Sequence, residues 1–224
     1  MEESGSPAAG QPRSLAEAVY TDIDGTVTAY NTIFEFLRFD AGKSRSAEAE
    51  EFLAGLRASA RNGVPRAVTN ARYFSWWQGR SVAEVQELGE RWADVQAASP
   101  ADWAFLEPVA GLLDGHAAAG RRLVAVTASF EPALVHVRRR WPHLELLCTL
   151  PLTAGGSYTG EIGEALVAEA KAKAVLAHAA EHSVDLAASF AYGDHSSDLQ
   201  FMALAGQSLL VTPTLGPVVP AVAG

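Results

Sequence analysis

The sequence predicts an α/β fold: a doubly wound, mainly parallel sheet with an all-helical segment inserted after its first strand. Three observations carry this expectation. An apolar run of β type, Ala18-Val19-Tyr20, leads straight into Asp22-Ile23-Asp24-Gly25-Thr26. Apolar residues then recur with helical spacing from about residue 31 to 107. From Gly111 onward, short apolar runs alternate with helix-like segments, which is the pattern of a parallel sheet covered on both faces.

The first fourteen residues are rich in Ser, Gly, Pro and Ala, so residues 1–14 read as a disordered tail. The α/β core is then expected over 15–30 and 108–224, with a helical cap over 31–107. In the cap the helical periods are Ile33-Phe34-Phe36-Leu37, Phe52-Leu53-Leu56, Tyr73-Phe74-Trp76-Trp77, Val82-Val85-Leu88 and Trp92-Val95. The aromatic group Tyr73 to Trp77 is expected to pack helices together rather than to cage a ligand. After the cap, Leu112 to Ala119 reads as a helix ended by Gly120, and Leu123-Val124-Ala125-Val126 as a buried strand. A helix over Pro132 to Arg140, a strand near Leu144 to Leu150, and a hairpin at Gly155-Gly156-Ser157-Tyr158-Thr159-Gly160 follow. The rest reads as an Ala-rich helix from Leu166 to His182, a strand ending at Tyr192, a helix from Leu199 to Ala205 and a short strand from Ser208 to Val211.

With 224 residues, 49% of them hydrophobic, the chain can bury a core of one domain carrying a sizeable insertion. A net charge of −9 argues against general binding to nucleic acid or to an anionic membrane. No apolar run is long enough to span a bilayer, and the first fourteen residues lack the pattern of a signal peptide. The single cysteine, Cys148, excludes a disulfide framework and reads as a strand residue rather than a reactive thiol. A cytoplasmic location is the default expectation.

The chemistry is concentrated at strand ends. Side chains alternate along an extended segment, so Asp22 and Asp24 face the same way at the carboxyl end of a strand, where open α/β sheets bind ligands. Two acids there suit a nucleophile with a general acid/base, or a hard-cation site of oxygen ligands. An acidic turn is the plainer alternative, with Gly25 allowing the sharp bend. Three further parts fit a phosphoryl-transfer site. Thr127-Ala128-Ser129 follows a strand with a hydroxyl and small residues whose N–H groups can approach an anion. Lys171 and Lys173, on the Ala-rich helix, can each supply a positive charge. Gly193-Asp194-His195-Ser196-Ser197-Asp198 again puts two carboxylates after a strand, although Asp198 or Ser196 can equally cap the next helix.

Taken in order, Asp-x-Asp-Gly-Thr, strand-Thr, Lys and Gly-Asp-x-x-x-Asp resemble the haloacid dehalogenase superfamily of aspartate-nucleophile phosphatases. The resemblance covers about residues 17–30 and 108–213 and implies a Rossmann-like core. The helical insertion and Ser157-Tyr158-Thr159-Gly160 look most like the phosphoserine-phosphatase-like branch. There the lysine lies about two dozen residues before the fourth-motif aspartate; 194 − 171 = 23, which favours Lys171 over Lys173. The resemblance implies Asp22 as nucleophile and Mg²⁺ ligand. Asp24 would be the acid that protonates the leaving oxygen and then the base that activates water, its backbone carbonyl binding the metal. Gly25, Thr127, Ala128, Ser129 and Lys171 would bind phosphate, Asp194 the metal, and Asp198 would support the metal shell.

The implied activity is Mg²⁺-dependent hydrolysis of a small phosphorylated metabolite through an aspartyl-phosphate. Transfer to an acceptor other than water uses the same residues, and a non-catalytic phosphate-binding protein is the reading from a different class. Carbon–halogen cleavage is weakened by Asp24, because that branch does not keep the second acid. Phosphoserine enzymes of the family usually hold a glutamate nine residues after the nucleophile, and 22 + 9 is Asn31 here, so phosphoserine is disfavoured. Arg57, Arg61, Arg66 and Arg72 are candidate anion contacts in the cap. The chain stops soon after Thr212-Pro213-Thr214, short of the extended tail of many relatives.

Overall fold

The computed structural model describes residues 16–212; the tail expected at 1–14 and the end from Pro213 lie outside the described residues. Strand β1 (Ala18–Thr21) precedes helices α1 (Thr32–Ala41), α2 (Ser46–Arg61), α3 (Arg66–Tyr73) and α4 (Val82–Ala98), with a 3₁₀ turn at Phe74–Trp77. The chain continues through α5 (Glu107–Ala118), β2 (Arg122–Thr127), α6 (Val135–Arg140), β3 (Glu145–Cys148), the hairpin β4 (Pro151–Ala154) and β5 (Ser157–Ile162), and α7 (Glu169–His182). Strand β6 (Phe190–Gly193), the short α8 (Leu199–Met202) and β7 (Gln207–Leu210) close it.

Five strands form one wholly parallel sheet in the order β3-β2-β1-β6-β7. The order reverses at β1, with β2 and β3 on one side and β6 and β7 on the other. A crevice therefore opens beyond the carboxyl ends of β1 and its neighbours, the place where doubly wound sheets bind ligands. Pleating sends alternate residues to opposite faces. Val19, Leu123 and Ala125 pack with α5 and α6, while Tyr20, Val124, Val126 and Ala191 pack with α7. Cys148, on the edge strand β3, is half-buried, and burial pushes its thiol up to about 11, which suits a packing residue rather than a nucleophile.

A third core lies inside the helical insertion. Phe36 stacks on Trp77 at 5.1 Å and lies 5.3 Å from Trp92, so the Tyr73 to Trp77 aromatics are packing residues. Phe130, from the loop after β2, and Tyr158, from β5, enter the same cluster and join the insertion to the sheet domain. Aromatic pairs of this kind each contribute about 0.5–1.5 kcal/mol beyond their buried area.

The insertion is not closed by helices alone. The Tyr158 N–H donates to the Arg80 carbonyl at 2.9 Å, and the N–H groups of Gly79 and Val82 donate to Tyr158 and Gly156 at 2.8 and 2.9 Å. An isolated two-stranded hairpin is marginal in water, and β4–β5 gains its support by leaning on the turn between α3 and α4. Some boundaries also shift from the sequence expectation. The helix after Phe130 begins as a 3₁₀ turn at Glu131–Leu134, with Pro132 in its first turn, where a missing N–H breaks no helical bond. Helix α7 starts at Glu169 rather than Leu166, since Ala168 holds a φ of 47° and breaks the helical run.

Candidate active site

Asp22 and Asp24 sit on the turn that ends β1. The Asp22 N–H donates to the Tyr192 carbonyl of β6 at 2.9 Å, which fixes the turn to the neighbouring strand. Gly25 takes a φ of +87°, a conformation that side chains rarely adopt. A β-carbon there would lie 2.4 Å from Asp194 Oδ2, so glycine is also what lets the loops after β1 and β6 approach.

Lys171 occupies the first turn of α7 and is buried beneath these loops. Its ammonium donates to Asp22 Oδ1 at 2.6 Å and to Asp198 Oδ1 at 2.7 Å. Lys173 lies on the exposed face and pairs with Glu169 instead. Of the two lysines the sequence offered, Lys171 is thus the one at the acids. Burial depresses the Lys171 pKa, but the charges of Asp22 and Asp198 outweigh this and raise it, so it remains an ammonium.

Asp198 is engaged on both oxygens, since its Oδ2 accepts from the His195 N–H at 3.1 Å. It therefore braces the lysine and its own loop rather than capping α8, where no side-chain cap bond forms. Gly193 accommodates it closely: a β-carbon at Gly193 would come 2.7 Å from the Asp198 β-carbon. Asp194 Oδ1 accepts from the Thr26 hydroxyl at 3.3 Å.

Carboxylate oxygens of Asp22, Asp194 and Asp198 lie within 4.8 Å of one another. Once the lysine, Thr26 and His195 bonds are assigned, Asp22 Oδ2 and Asp194 Oδ2 are left without a protein partner among the described residues. Two free hard oxygens beside a glycine cradle fit a small divalent cation such as Mg²⁺, which binds through few carboxylates and keeps several waters. Burial pushes Asp22 up to about 7 against the opposing pull of Lys171. A cation at those oxygens would bring it back to the carboxylate form.

Asp24 has a different setting. Its Oδ1 accepts from the Thr32 N–H in the first turn of α1 at 2.8 Å. Burial raises its pKa against those hydrogen bonds from Thr32, favouring a protonated carboxyl. Thr127 lies two residues beyond Ala125, the partner of Thr21, and so stands at the carboxyl end beside Asp22. Ser129 is fully buried, its N–H donates to Thr127 Oγ1 at 3.1 Å and its hydroxyl accepts from Thr32 at 2.8 Å. These bonds tie the loop after β2 to α1; Ala128 is the half-exposed residue there.

A cleft of about 500 Å³ lies between this centre and the insertion, lined by Asp24, Asn31, Arg57, Arg66, Asn70, Ala128 and His195 together with apolar residues of α1 to α3. A larger depression of about 890 Å³ at the other end of the sheet has none of these acids, so chemistry rather than size locates the site. Of the four candidate arginines, Arg57 and Arg66 reach the cleft, while Arg61 and Arg72 do not line it. Arg66 spans from α3 to the loop after β6, 3.1 Å from His195 Nδ1 and 3.0 Å from Ser197 Oγ. Asn70 crosses the same gap, donating to the Ala128 carbonyl at 3.0 Å and accepting from the Thr149 hydroxyl at 3.3 Å. The sequence pattern missed Asn70 because a polar residue on an amphipathic helix carries no signal of its own. His195 and Ser197 were legible only as members of the Gly193 to Asp198 motif. Asn31 caps α1, its Oδ1 accepting from the Phe34 N–H at 3.0 Å.

The model of the haloacid dehalogenase-like hydrolases matches residues 19–203, which spans both the sheet and the insertion. The chain belongs to the haloacid dehalogenase-like hydrolase family. It is 31% identical over 107 residues to a Mycobacterium tuberculosis H37Rv protein named Probable phosphatase Rv3661, covering 48% of this chain and 37% of that one. It is 27% identical over 210 residues to Phosphoserine phosphatase SerB1 of the same organism, covering 90% of this hydrolase-family chain and 67% of the relative. The chain thus spans little more than a third of the first of these curated relatives. Among solved structures, a Bordetella pertussis Tohama I protein of unknown function shares the fold with a TM-score of 0.75 at 20% identity, over 87% of this chain and 89% of that one. A substrate-bound phosphoserine phosphatase shares it with a TM-score of 0.63 at 17% identity, over 91% and 90%. Among the described residues of this family member, no helix is long and apolar enough to cross a membrane.

Proposed function

We propose that this chain is a Mg²⁺-dependent phosphomonoester hydrolase that works through an aspartyl-phosphate on a small phosphorylated metabolite. The observation that carries the reading is the buried Lys171 ammonium held between Asp22 and Asp198, with Asp194 beside them and Asp24 facing the cleft.

Asp22 attacks phosphorus, and the bond from phosphorus to the ester oxygen breaks. Asp24, whose pKa burial raises, gives its proton to that oxygen as it leaves. Asp24, now a carboxylate, takes a proton from water, and the oxygen of that water attacks the phosphorus of the aspartyl-phosphate. Inorganic phosphate departs and Asp22 is restored. A Lys171 ammonium has three donors; two engage Asp22 and Asp198 and the third is free for a phosphoryl oxygen. The Thr127 hydroxyl and the Ala128 N–H supply further donors. Asp22 and Asp194, with the Asp24 carbonyl, would hold Mg²⁺, whose charge offsets the repulsion between a carboxylate and a phosphate dianion. Arg66 and Asn70 tie the cap to the core across the cleft.

The test is phosphate release from p-nitrophenyl phosphate with Mg²⁺, with EDTA, and in Asp22→Asn, alongside chloride release from haloacids. Activity that depends on Mg²⁺ and is abolished in Asp22→Asn is expected. Chloride release or metal-independent turnover would overturn the reading.

A further inference from the structure

At the opposite end of the sheet stands a second group of metal-type ligands. His178 and His182 are four residues apart on α7 and so project from one face in successive turns, their ring centroids 4.5 Å apart. Glu145, the first residue of β3, faces both. Its Oε2 lies 3.3 Å from His178 Nε2 and 3.8 Å from His182 Nε2. One donor atom from each of the three lies within 4.8 Å of the others.

We propose that His178, His182 and Glu145 form a second cation site, separate from the active site, that takes a first-row divalent transition metal such as Zn²⁺. Two imidazoles and one carboxylate are a borderline-soft set that suits zinc, whereas the all-oxygen set at Asp22 and Asp194 suits Mg²⁺. Ligands at about 2.0–2.2 Å from a tetrahedral zinc stand about 3.3–3.6 Å from each other. The His178 to Glu145 separation of 3.3 Å falls in that range, and the 3.8 Å separation for His182 needs only a small closing movement.

The surroundings orient the ligands. The Tyr20 hydroxyl lies 3.0 Å from His178 Nδ1, so it can hold the proton on that nitrogen and leave Nε2 for the metal. Arg122 pairs with the other oxygen of Glu145, fixing the carboxylate while leaving Oε2 toward the histidines. With the single proton of the neutral ring on Nδ1, Nε2 presents its lone pair, and the cation takes the place of the His178 contact with Glu145 without releasing a proton from His178. His178 is buried, while Glu145 and His182 side chains each keep 31% of their surface exposed, so the cation has an entry path and a place for water. The site pins α7 against β1 and β3, and α7 is the helix that presents Lys171 two turns earlier.

The test is calorimetric titration of Zn²⁺ into the Mg²⁺-saturated protein, with cobalt substitution read by visible absorption. Four proteins are compared: wild type, His182→Ala, Tyr20→Phe and Asp194→Asn. Wild type and Asp194→Asn should each take one Zn²⁺ with similar affinity, and cobalt should give the visible bands of a low-coordinate nitrogen-ligated ion. Tyr20→Phe, which keeps the packing, should weaken zinc about tenfold or more, the usual cost of losing a hydrogen bond that orients a ligand. His182→Ala should weaken it further still. The proposal is overturned if wild type takes no zinc under these conditions, if His182→Ala binds like wild type, or if uptake is lost in Asp194→Asn.

Discussion

Lys171 Nζ stands 2.6 Å from Asp22 Oδ1, inside the protein and shared with Asp198, so one ammonium joins the end of β1 to the loop after β6. Desolvation of such a group is expensive, and a buried ion pair is poor evidence of net stabilisation. Its place at the crevice, not its contribution to folding, is what gives it meaning.

Removing that ammonium leaves two buried carboxylates facing each other. Lys171→Met should therefore lower stability by about 3–5 kcal/mol near pH 8, the usual cost of breaking a buried pair from one side. For a chain of this size that is a fall in Tm of about 6–20 °C. Mg²⁺ should recover part of the loss by supplying positive charge at the same oxygens. Thermal unfolding with and without Mg²⁺ checks this, and a Tm within 2 °C of wild type in EDTA would contradict the buried triad.

Asp22 gives a pH dependence with a definite sign. Its carboxyl is raised by burial from an ordinary value of 3.8 to about 7, so folding favours the neutral form. That stabilisation is fully present below about pH 4 and is lost as pH rises through the folded pKa near 7. In EDTA, the stability difference between wild type and Asp22→Asn should shift against wild type by at most roughly 4 kcal/mol between pH 4 and 8. Mg²⁺ should flatten this shift. Urea unfolding of both proteins across that range is the measurement, and parallel curves in EDTA would show that Asp22 is not held in a desolvated site.

The dual role given to Asp24 separates two steps. In Asp24→Asn, turnover of alkyl phosphates should fall by about 10²–10⁴, the size of a general acid/base contribution. Esters with very good leaving groups need no proton, so their first step should be nearly spared while the second step loses its base. A burst of leaving group followed by slow turnover is then expected in rapid mixing. Equal loss for all esters, with no burst, would remove Asp24 from both roles.

The sheet and its acids were legible because their signals are local. A β-type run ending in Asp22-x-Asp24-Gly25 needs only alternation and a turn to put two carboxylates at a strand end. Lys171 was harder, since Lys173 sits two residues away on the same helix, and only the packing of α7 against the sheet separates a buried face from the solvated face where Lys173 meets Glu169. Ser129 was ambiguous for a related reason. A small residue after a strand suits either an anion or an internal bond, and the internal bond here comes from the hydroxyl of Thr32, 97 residues earlier. The support given by β4–β5 to the insertion, and the reach of Arg66 and Asn70 to the core, are contacts between distant segments that no local pattern encodes.

Asn31 yields the last prediction, which concerns substrate choice. A neutral amide cannot pair as an anion with the ammonium of phosphoserine, and here its Oδ1 is already committed to the Phe34 N–H as the cap of α1. Losing one charge-assisted contact should disfavour phosphoserine by roughly 1.5–3 kcal/mol, or about ten- to a hundredfold in kcat/KM, relative to sugar or polyol phosphates whose hydroxyls suit an amide. The cap makes the choice of variant important. Asn31→Glu adds charge but gives up a good cap residue, whereas Asn31→Asp keeps a short acceptor on the helix N-terminus and adds the charge as well. Asn31→Asp should then raise kcat/KM for phosphoserine relative to polyol phosphates while holding stability near wild type. Asn31→Ala, in contrast, should lose about 0.5–2 kcal/mol of stability with the cap. The measurement is kcat/KM over a panel of phosphoserine, sugar, polyol and nucleoside monophosphates for wild type and both acidic variants. If phosphoserine leads the panel for the wild type, Asn31 does not set the specificity and the preference for hydroxyl-bearing esters is wrong.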